Sequence, residues 1–280
     1  MSLGTASAGP ARKSASFPLR MLPAAAYGTG KARRIVERNI LAYTRRWWIL
    51  ASGFFEPLFY LLSIGLGLKH LVGQLHLGGT AVPYAAYVAP GLLASSAMNG
   101  ALFDSTFNIF FKLKIAKTYD AVLATPVGVN DVAIGEVTWA LMRGAIYSFA
   151  FLVIMAAMGL VLSWWAILCF PAAMLIGFAF AGVGMGATCY MRRWQDFDYV
   201  SLASIPMFLF SAVFYPLTVY PGWLQVAVSC TPLYQGVDMV RELDAGLMTP
   251  ALIGHAAYLV LVGLAGMAIA ARRLGILLRP

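Results

Sequence analysis

Charge is scarce in this sequence: Asp, Glu, Lys and Arg make up 11% of its 280 residues, where a soluble domain carries about a quarter. That deficit excludes a fold bathed in water on all sides. Cysteine is nearly missing as well. Cys169, Cys189 and Cys230 stand apart with no C-x-x-C spacing, so neither a disulfide framework nor a thiolate metal centre is expected. Histidine is limited to His70, His76 and His255, too dispersed for a catalytic or metal site. A phosphate loop is lacking too: Gly28-Thr29-Gly30-Lys31 imitates one, but Ala25 occupies the first glycine position and Ala32 replaces the Ser/Thr that would meet Mg2+. The chain is therefore expected to hold no metal and no cofactor of its own. Its first residues, to about position 24, are rich in Ser, Ala, Gly and Pro and lack an apolar core, which argues against a signal peptide and for a loose tail over residues 1–30.

What fills the sequence instead is apolar surface, 61% of the residues, gathered into runs of about 20, each long enough to cross a ~30 Å hydrocarbon core as a helix. We place spans near 47–68, 84–106, 132–160, 165–190, 200–220 and 251–271; Asn99 and Asp104 interrupt the second. The net charge of +9 does not point to nucleic acid, because the basic residues border the spans rather than form one face. Nine Lys/Arg precede span one, three lie between spans two and three, two between spans four and five, and three follow span six, with only Lys69 and Arg241 opposite and Arg143 inside span three. The positive-inside rule then puts both termini in the cytoplasm of a multi-pass inner-membrane protein. Trp47, Trp48, Trp164 and Trp165 fall at span ends, as an aromatic belt requires.

Between the spans, residues 31–46 carry Ile35, Val36, Ile40 and Tyr43 near one helical face opposite Arg and Lys, the pattern of an interfacial helix. Residues 112–125 place Ile115, Tyr119, Val122 and Leu123 at helical spacing before Pro126, which predicts a short amphipathic cytoplasmic helix. The segment 221–247 is too apolar for a plain loop and is broken by Pro221 and Pro232, which predicts a re-entrant helical hairpin at the outer face. The fold class expected is all-α integral membrane, its permease domain covering 47–271 and a cytoplasmic tail 272–280.

Glu56-Pro57 with SIGLGL, Ala89-Pro90-Gly91 with SSAM, the run Asp120 to Pro126, Gly135-Glu136 with Trp139-Ala140, Phe197-Asp198-Tyr199, Val213-Phe214-Tyr215-Pro216, and Thr231-Pro232-Leu233 with Asp238 and Arg241 occur in that order. In these segments, over residues 30 to 272, the chain resembles type-2 ATP-binding-cassette permeases, especially the nodulation-type lipo-oligosaccharide and daunorubicin-type drug exporters. The resemblance implies that the helix at 112–125 is a coupling helix. Ile115, Tyr119, Asp120, Val122, Leu123, Thr125 and Pro126 would then engage a separate ATPase subunit, present in two copies and carrying the ATP and Mg. It implies a second permease, identical or homologous, and an amphiphilic substrate drawn from the cytoplasm or the membrane lipid. An outer cap would be built on Pro216, Pro221, Trp223, Pro232, Asp238 and Arg241. Phe55, Phe59, Phe208, Phe210, Phe214 and Tyr215 are candidate path-lining rings, with lipid-facing bulk as the other reading.

Glu56, Asn99, Glu136 and Arg143 are polar groups at membrane depth, and an ionised one costs roughly 2.5–3.5 kcal/mol at a helix centre on insertion scales. They should face protein or water, as a structural clamp or a proton relay, and a Glu56 to Arg143 contact between spans is one arrangement to test. Gly182 and Gly186 have the small-xxx-small spacing of close helix packing. Two other functional classes stand beside the exporter. One is an ion-coupled secondary transporter using Glu56, Glu136 and Arg143, which the lack of an evident inverted repeat disfavours. The other is an integral-membrane transferase, disfavoured because no loop carries a clustered acid, base and metal set.

Overall fold

A computed structural model describes residues 30–44, 55, 58–67, 74–77 and 79–277. Glu56, Pro57, Trp47 and Trp48, and with them half of the expected first span, lie outside the described residues.

Helix α1 (Ala32–Thr44) buries Ile35 and Val36. It lies against helix α4 (Val129–Ala157) at Gly135, where a Cβ would stand 2.6 Å from the Ile35 Cβ and 3.0 Å from the Ala32 carbonyl oxygen. The apolar stripe read as membrane-facing is thus taken up by protein. A two-stranded hairpin follows, β1 (Gln74–Leu77) against β2 (Thr80–Pro83), antiparallel with Leu77 opposite Thr80. It corrects the all-helical expectation. Gly79 at φ +84° supplies the left-handed turn that a Gly-Gly pair favours, a signal the span-centred reading passed over.

Helix α2 (Tyr84–Phe103) is buried on nearly all sides and occupies the centre of the molecule. It runs on through wide helical turns at Asp104–Asn108 and Phe111–Ile115. The Ala116 N–H closes the last of these on the Phe111 carbonyl at 2.8 Å, and Lys117 turns the chain with φ 47°. Only then does α3 (Thr118–Leu123) begin. The single helix expected over 112–125 is therefore two pieces at an angle, because the first half belongs to the α2 ladder.

Among the described residues, three helices are long and apolar enough to cross a membrane: α4, residues Trp164–Thr188 and Ala251–Leu277. The second comprises a 3-10 turn and α5 (Cys169–Thr188); the third is α9 (Ala251–Leu277). Expected spans three, four and six correspond to them. Expected span five does not run as one helix over 200–220. Helix α6 covers Phe197–Phe210, about 21 Å at 1.5 Å per residue, and the backbone then breaks at Ala212, φ 56°.

Two short helices, α7 (Gly222–Ser229) and α8 (Pro232–Ala245), begin right after Pro221 and at Pro232, where a missing N–H costs nothing. Thr231 caps α8 by accepting from the Tyr234 N–H at 3.3 Å. The packing of α5 on α9 depends on glycine. A Cβ on Gly182 would collide with the Gly263 carbonyl, and one on Gly186 would lie 3.2 Å from that of Gly266. Small residues let the two backbones touch, gaining dispersion contacts that lipid tails cannot outcompete.

Candidate functional site

Between α2 and α6 lies a cleft of about 1240 Å³. Its α2 wall carries Ser95, Ser96, Asn99 and Phe103, and its α6 wall carries Ser204 and Phe208. Aromatic rings close the other end: Tyr60 meets Phe208 at 5.8 Å between centroids, Phe208 meets Phe214 at 5.3 Å, and Phe210 meets Tyr220 at 6.0 Å. Four of the six rings read from the sequence, Phe208, Phe210, Phe214 and Tyr215, line the cleft. Phe55 and Phe59 are not on its wall; they stack on each other at 6.0 Å on the exposed face. Tyr60, one residue on, takes that place, because only one side of the helical turn there faces α6.

Two buried ionic clusters lie beside the cleft, both built on α4. Arg143, on the cleft wall, donates to the Asp104 carboxylate at 2.7 Å and to the hydroxyls of Tyr43 and Tyr147 at 3.1 Å each. Its side chain is 8% exposed and that of Asp104 2%. Asn108 donates to the same carboxylate at 3.2 Å. Two turns nearer α3, Glu136 accepts from Lys112 at 2.7 Å, from Asn39 at 3.0 Å and from Arg38 at 3.3 Å. The two α4 charges share a face, yet each is neutralised by a partner on another element. The acid paired with Arg143 among the described residues is Asp104; the Glu56 to Arg143 contact weighed from the sequence involves Glu56, which lies outside the described residues. Asp104 was visible in the sequence only as an interruption of span two. Its position, at the depth of the lone arginine of span three, was the usable signal. Lys112, Arg38 and Asn39 offered none, since their roles depend on α1 and the α2 extension meeting at Glu136.

These contacts form a rigid base for α3. Tyr119 is fully buried in the main apolar core, and Val122 and Leu123 pack against that core. Burial, and next the Glu136 carboxylate, raise the Tyr119 pKa well above its ordinary value. Tyr119 is thus the root of the short helix and offers no docking surface, which corrects its place among the expected contacts. Asp120, Thr125, Pro126 and, before the kink, Ile115 are exposed. Thr125 ties its hydroxyl to the Val122 carbonyl at 2.5 Å, stiffening the exit from the helix.

At the opposite end, Trp223 is exposed on α7, while Arg241 on α8 is buried and bound. Its guanidinium donates to the carbonyls of Ala212 at 2.8 Å, Val213 at 3.3 Å and Tyr87 at 3.4 Å, and lies over the Tyr87 ring at 3.9 Å. A break in a helix frees carbonyls that must find donors when buried, and Arg241 satisfies those left by the end of α6. Sequence reasoning placed Arg241 in the cap and missed this stapling role. Asp238 accepts from the Tyr234 hydroxyl at 3.2 Å. Pro216 precedes the short 3-10 turn Leu217–Val219. Among the described residues, Asp238, Glu242 and His255 bring one ligand atom each within 4.8 Å of one another, a set that could hold a metal ion.

The sequence profile of the ABC-2 type transporter family matches residues 31–244, which include the α4 clusters, α3, the cleft and most of α8. The chain is 32% identical over 213 residues to Nodulation protein J of Rhizobium leguminosarum bv. trifolii, covering 75% of this chain and 79% of that protein. It is 30% identical over 261 residues to Nodulation protein J of Bradyrhizobium diazoefficiens, covering 91% and 97%. The matched region is the one that builds the cleft and its charged surroundings, and the chain is a membrane permease of the ABC-2 type transporter family.

Proposed function

We propose that this chain is the permease subunit of an ATP-driven exporter that moves an amphiphilic, lipid-like or drug-like substrate outward across the inner membrane. It would cross the bilayer six times with both termini cytoplasmic, pair with an identical or homologous permease, and bind two ATPase subunits that carry ATP and Mg2+. The observation that carries the reading is α3: a short helix with an exposed tip at Asp120, Thr125 and Pro126, whose root at Tyr119 is locked into the core beside Glu136. A push on such a tip is delivered to α2, α4 and α1 together, because Lys112, Glu136 and Arg38 tie them to one point. The cleft between α2 and α6, polar on one wall and aromatic at one end, suits an amphiphile at a dimer interface.

Six crossings follow if residues 47–68, α2 with its extension, and α6 with the segment after it are added to the three long apolar helices. The unwound 211–216 segment is tolerable at membrane depth because Arg241 pairs its carbonyls. Glu136 and Arg143 each have a counter-ion at 2.7 Å, which favours the clamp over an ion-coupled site. The test is to purify the chain with the products of its neighbouring genes and measure efflux in proteoliposomes. ATP-dependent transport that needs an associated ATPase, lost on Asp120→Arg, supports the proposal. Transport driven by an ion gradient alone would replace it with the secondary-transporter reading.

A further inference from the structure

At the far end of the molecule from α3, helices α8 and α9 meet around Asp238 of the expected outer cap and two side chains, Glu242 and His255, that the export reading does not use. Asp238 and Glu242 are one turn apart on α8 and share a face, and His255 comes from the second turn of α9. A tight turn joins the two helices: Gly246, at φ +75°, reverses the chain after α8, and the Thr249 hydroxyl holds Glu242 Oε2 at 2.6 Å. We propose that Asp238, Glu242 and His255 bind a first-row divalent cation, zinc in preference, that clips the outer hairpin to the last long helix.

Three observations support this. The ligand atoms of the three residues all lie within 4.8 Å of one another. His255 Nδ1 is hydrogen-bonded to the Gln235 side-chain oxygen. That bond makes Nδ1 the protonated nitrogen and leaves the Nε2 lone pair free, which is how a metal-binding imidazole is oriented by its outer partner. Nε2 in turn is buried with no hydrogen-bond partner among the described residues. It faces Asp238 Oδ2 at 3.7 Å, too far for a hydrogen bond.

A bare His–Asp ion pair leaves that nitrogen unbonded, whereas an ion between the two groups satisfies both. Zinc at ~2.1 Å from each ligand sets neighbouring ligand atoms roughly 3.4 Å apart, so Nε2 and Oδ2 need close by only a few tenths of an ångström, and rotation of Glu242, whose Oε1 is not engaged by Thr249, brings in the third. Two carboxylates and one imidazole match the ligand preference of zinc-class ions and are a poor set for a soft monovalent metal. Arg241, adjacent in sequence, does not compete, because its guanidinium is turned away to the Ala212, Val213 and Tyr87 carbonyls. The fourth position faces outward, since the Asp238 side chain is 31% exposed, and a water would fill it.

The test uses the full chain in detergent, without a histidine tag and stripped with a chelator. Zn2+ binding is measured by equilibrium dialysis, and the ligand set is read from the visible absorption of the Co2+ form. One Zn2+ per chain, an absorption band in the Co2+ form, and binding at least tenfold weaker in both His255→Gln and Glu242→Gln would support the site. No retained Zn2+ in the wild type, or wild-type affinity in either variant, overturns it. Each variant is scored only if it elutes as the wild type does on size exclusion. Should both fail that check, the wild-type titration decides: a rise in unfolding temperature with Zn2+, reversed by chelator, supports the clip, and no rise refutes it.

Discussion

Consider removing the Asp104–Arg143 pair one member at a time and then as a whole. The two groups meet at 2.7 Å with side chains 2% and 8% exposed, so neither water nor salt screens them. Asp104→Leu leaves a guanidinium that cannot shed its charge, with two neutral phenol oxygens, of Tyr43 and Tyr147, as its remaining partners. Arg143→Met leaves a carboxylate whose one other donor among the described residues is Asn108. Breaking a buried pair from one side costs about 3–5 kcal/mol, while replacing both members by apolar residues of similar volume is often near neutral. At about 2–4 °C per kcal/mol for a chain of this size class, each single variant should lose on the order of 6–20 °C in unfolding temperature. The double variant should recover most of that. Thermal unfolding in mild detergent, at one scan rate and followed by tryptophan fluorescence, measures all four proteins. If the double variant shows the sum of the two single losses, within about 0.5 kcal/mol, the two residues act independently and the clamp argument is wrong.

Gly182→Leu should destabilise by about 1–3 kcal/mol or more through overpacking, because its Cβ meets the Gly263 carbonyl. Gly275→Ala, with open space around it, should leave the unfolding temperature unchanged or slightly raised in the same assay. Arg241→Met should leave the Ala212 and Val213 carbonyls unsatisfied at about 1–3 kcal/mol for each buried group; hydrogen exchange should quicken at residues 211–215, and normal protection there would refute the staple. Tyr119→Ala should cost about 3–5 kcal/mol as a buried aromatic truncation, whereas Asp120→Arg, exposed on the same helix, should keep the wild-type melting curve and lose only the ATPase in pull-down. A stable Tyr119→Ala chain would mean that the root of α3 is not where the structure puts it.

How far the fold could be read from the residues depends on the range of the interaction concerned. Helices α4, α5 and α9 were legible because a 20-residue apolar run needs no partner to declare itself. The starts of α7 and α8 were legible because Pro221 and Pro232 act on their own backbone. The Gly182 to Gly186 spacing foretold close packing, though not that Gly263 and Gly266 would supply the facing surface. The end of α6 was not legible. Phe210 through Tyr220 is apolar enough to continue a span, and the break at Ala212 is held by a guanidinium on α8. The candidate site was harder still. Arg143 and Glu136 announced themselves as charges at membrane depth, but their partners Asp104, Lys112 and Arg38 lie 39, 24 and 98 residues away.

Composition and local periodicity alone therefore settled that this chain belongs in lipid, where its long apolar helices run, and where prolines start α7 and α8. Those outcomes rest on transfer free energy and backbone sterics, which each segment carries by itself. Which charges neutralise one another, which aromatic rings face the cleft, why Tyr119 is a root and Arg241 a staple, and that His255 meets Asp238 were decided only when helices distant in sequence packed together. Electrostatic and hydrogen-bond partners are chosen by distance in space, and one chain of letters contains no such distance.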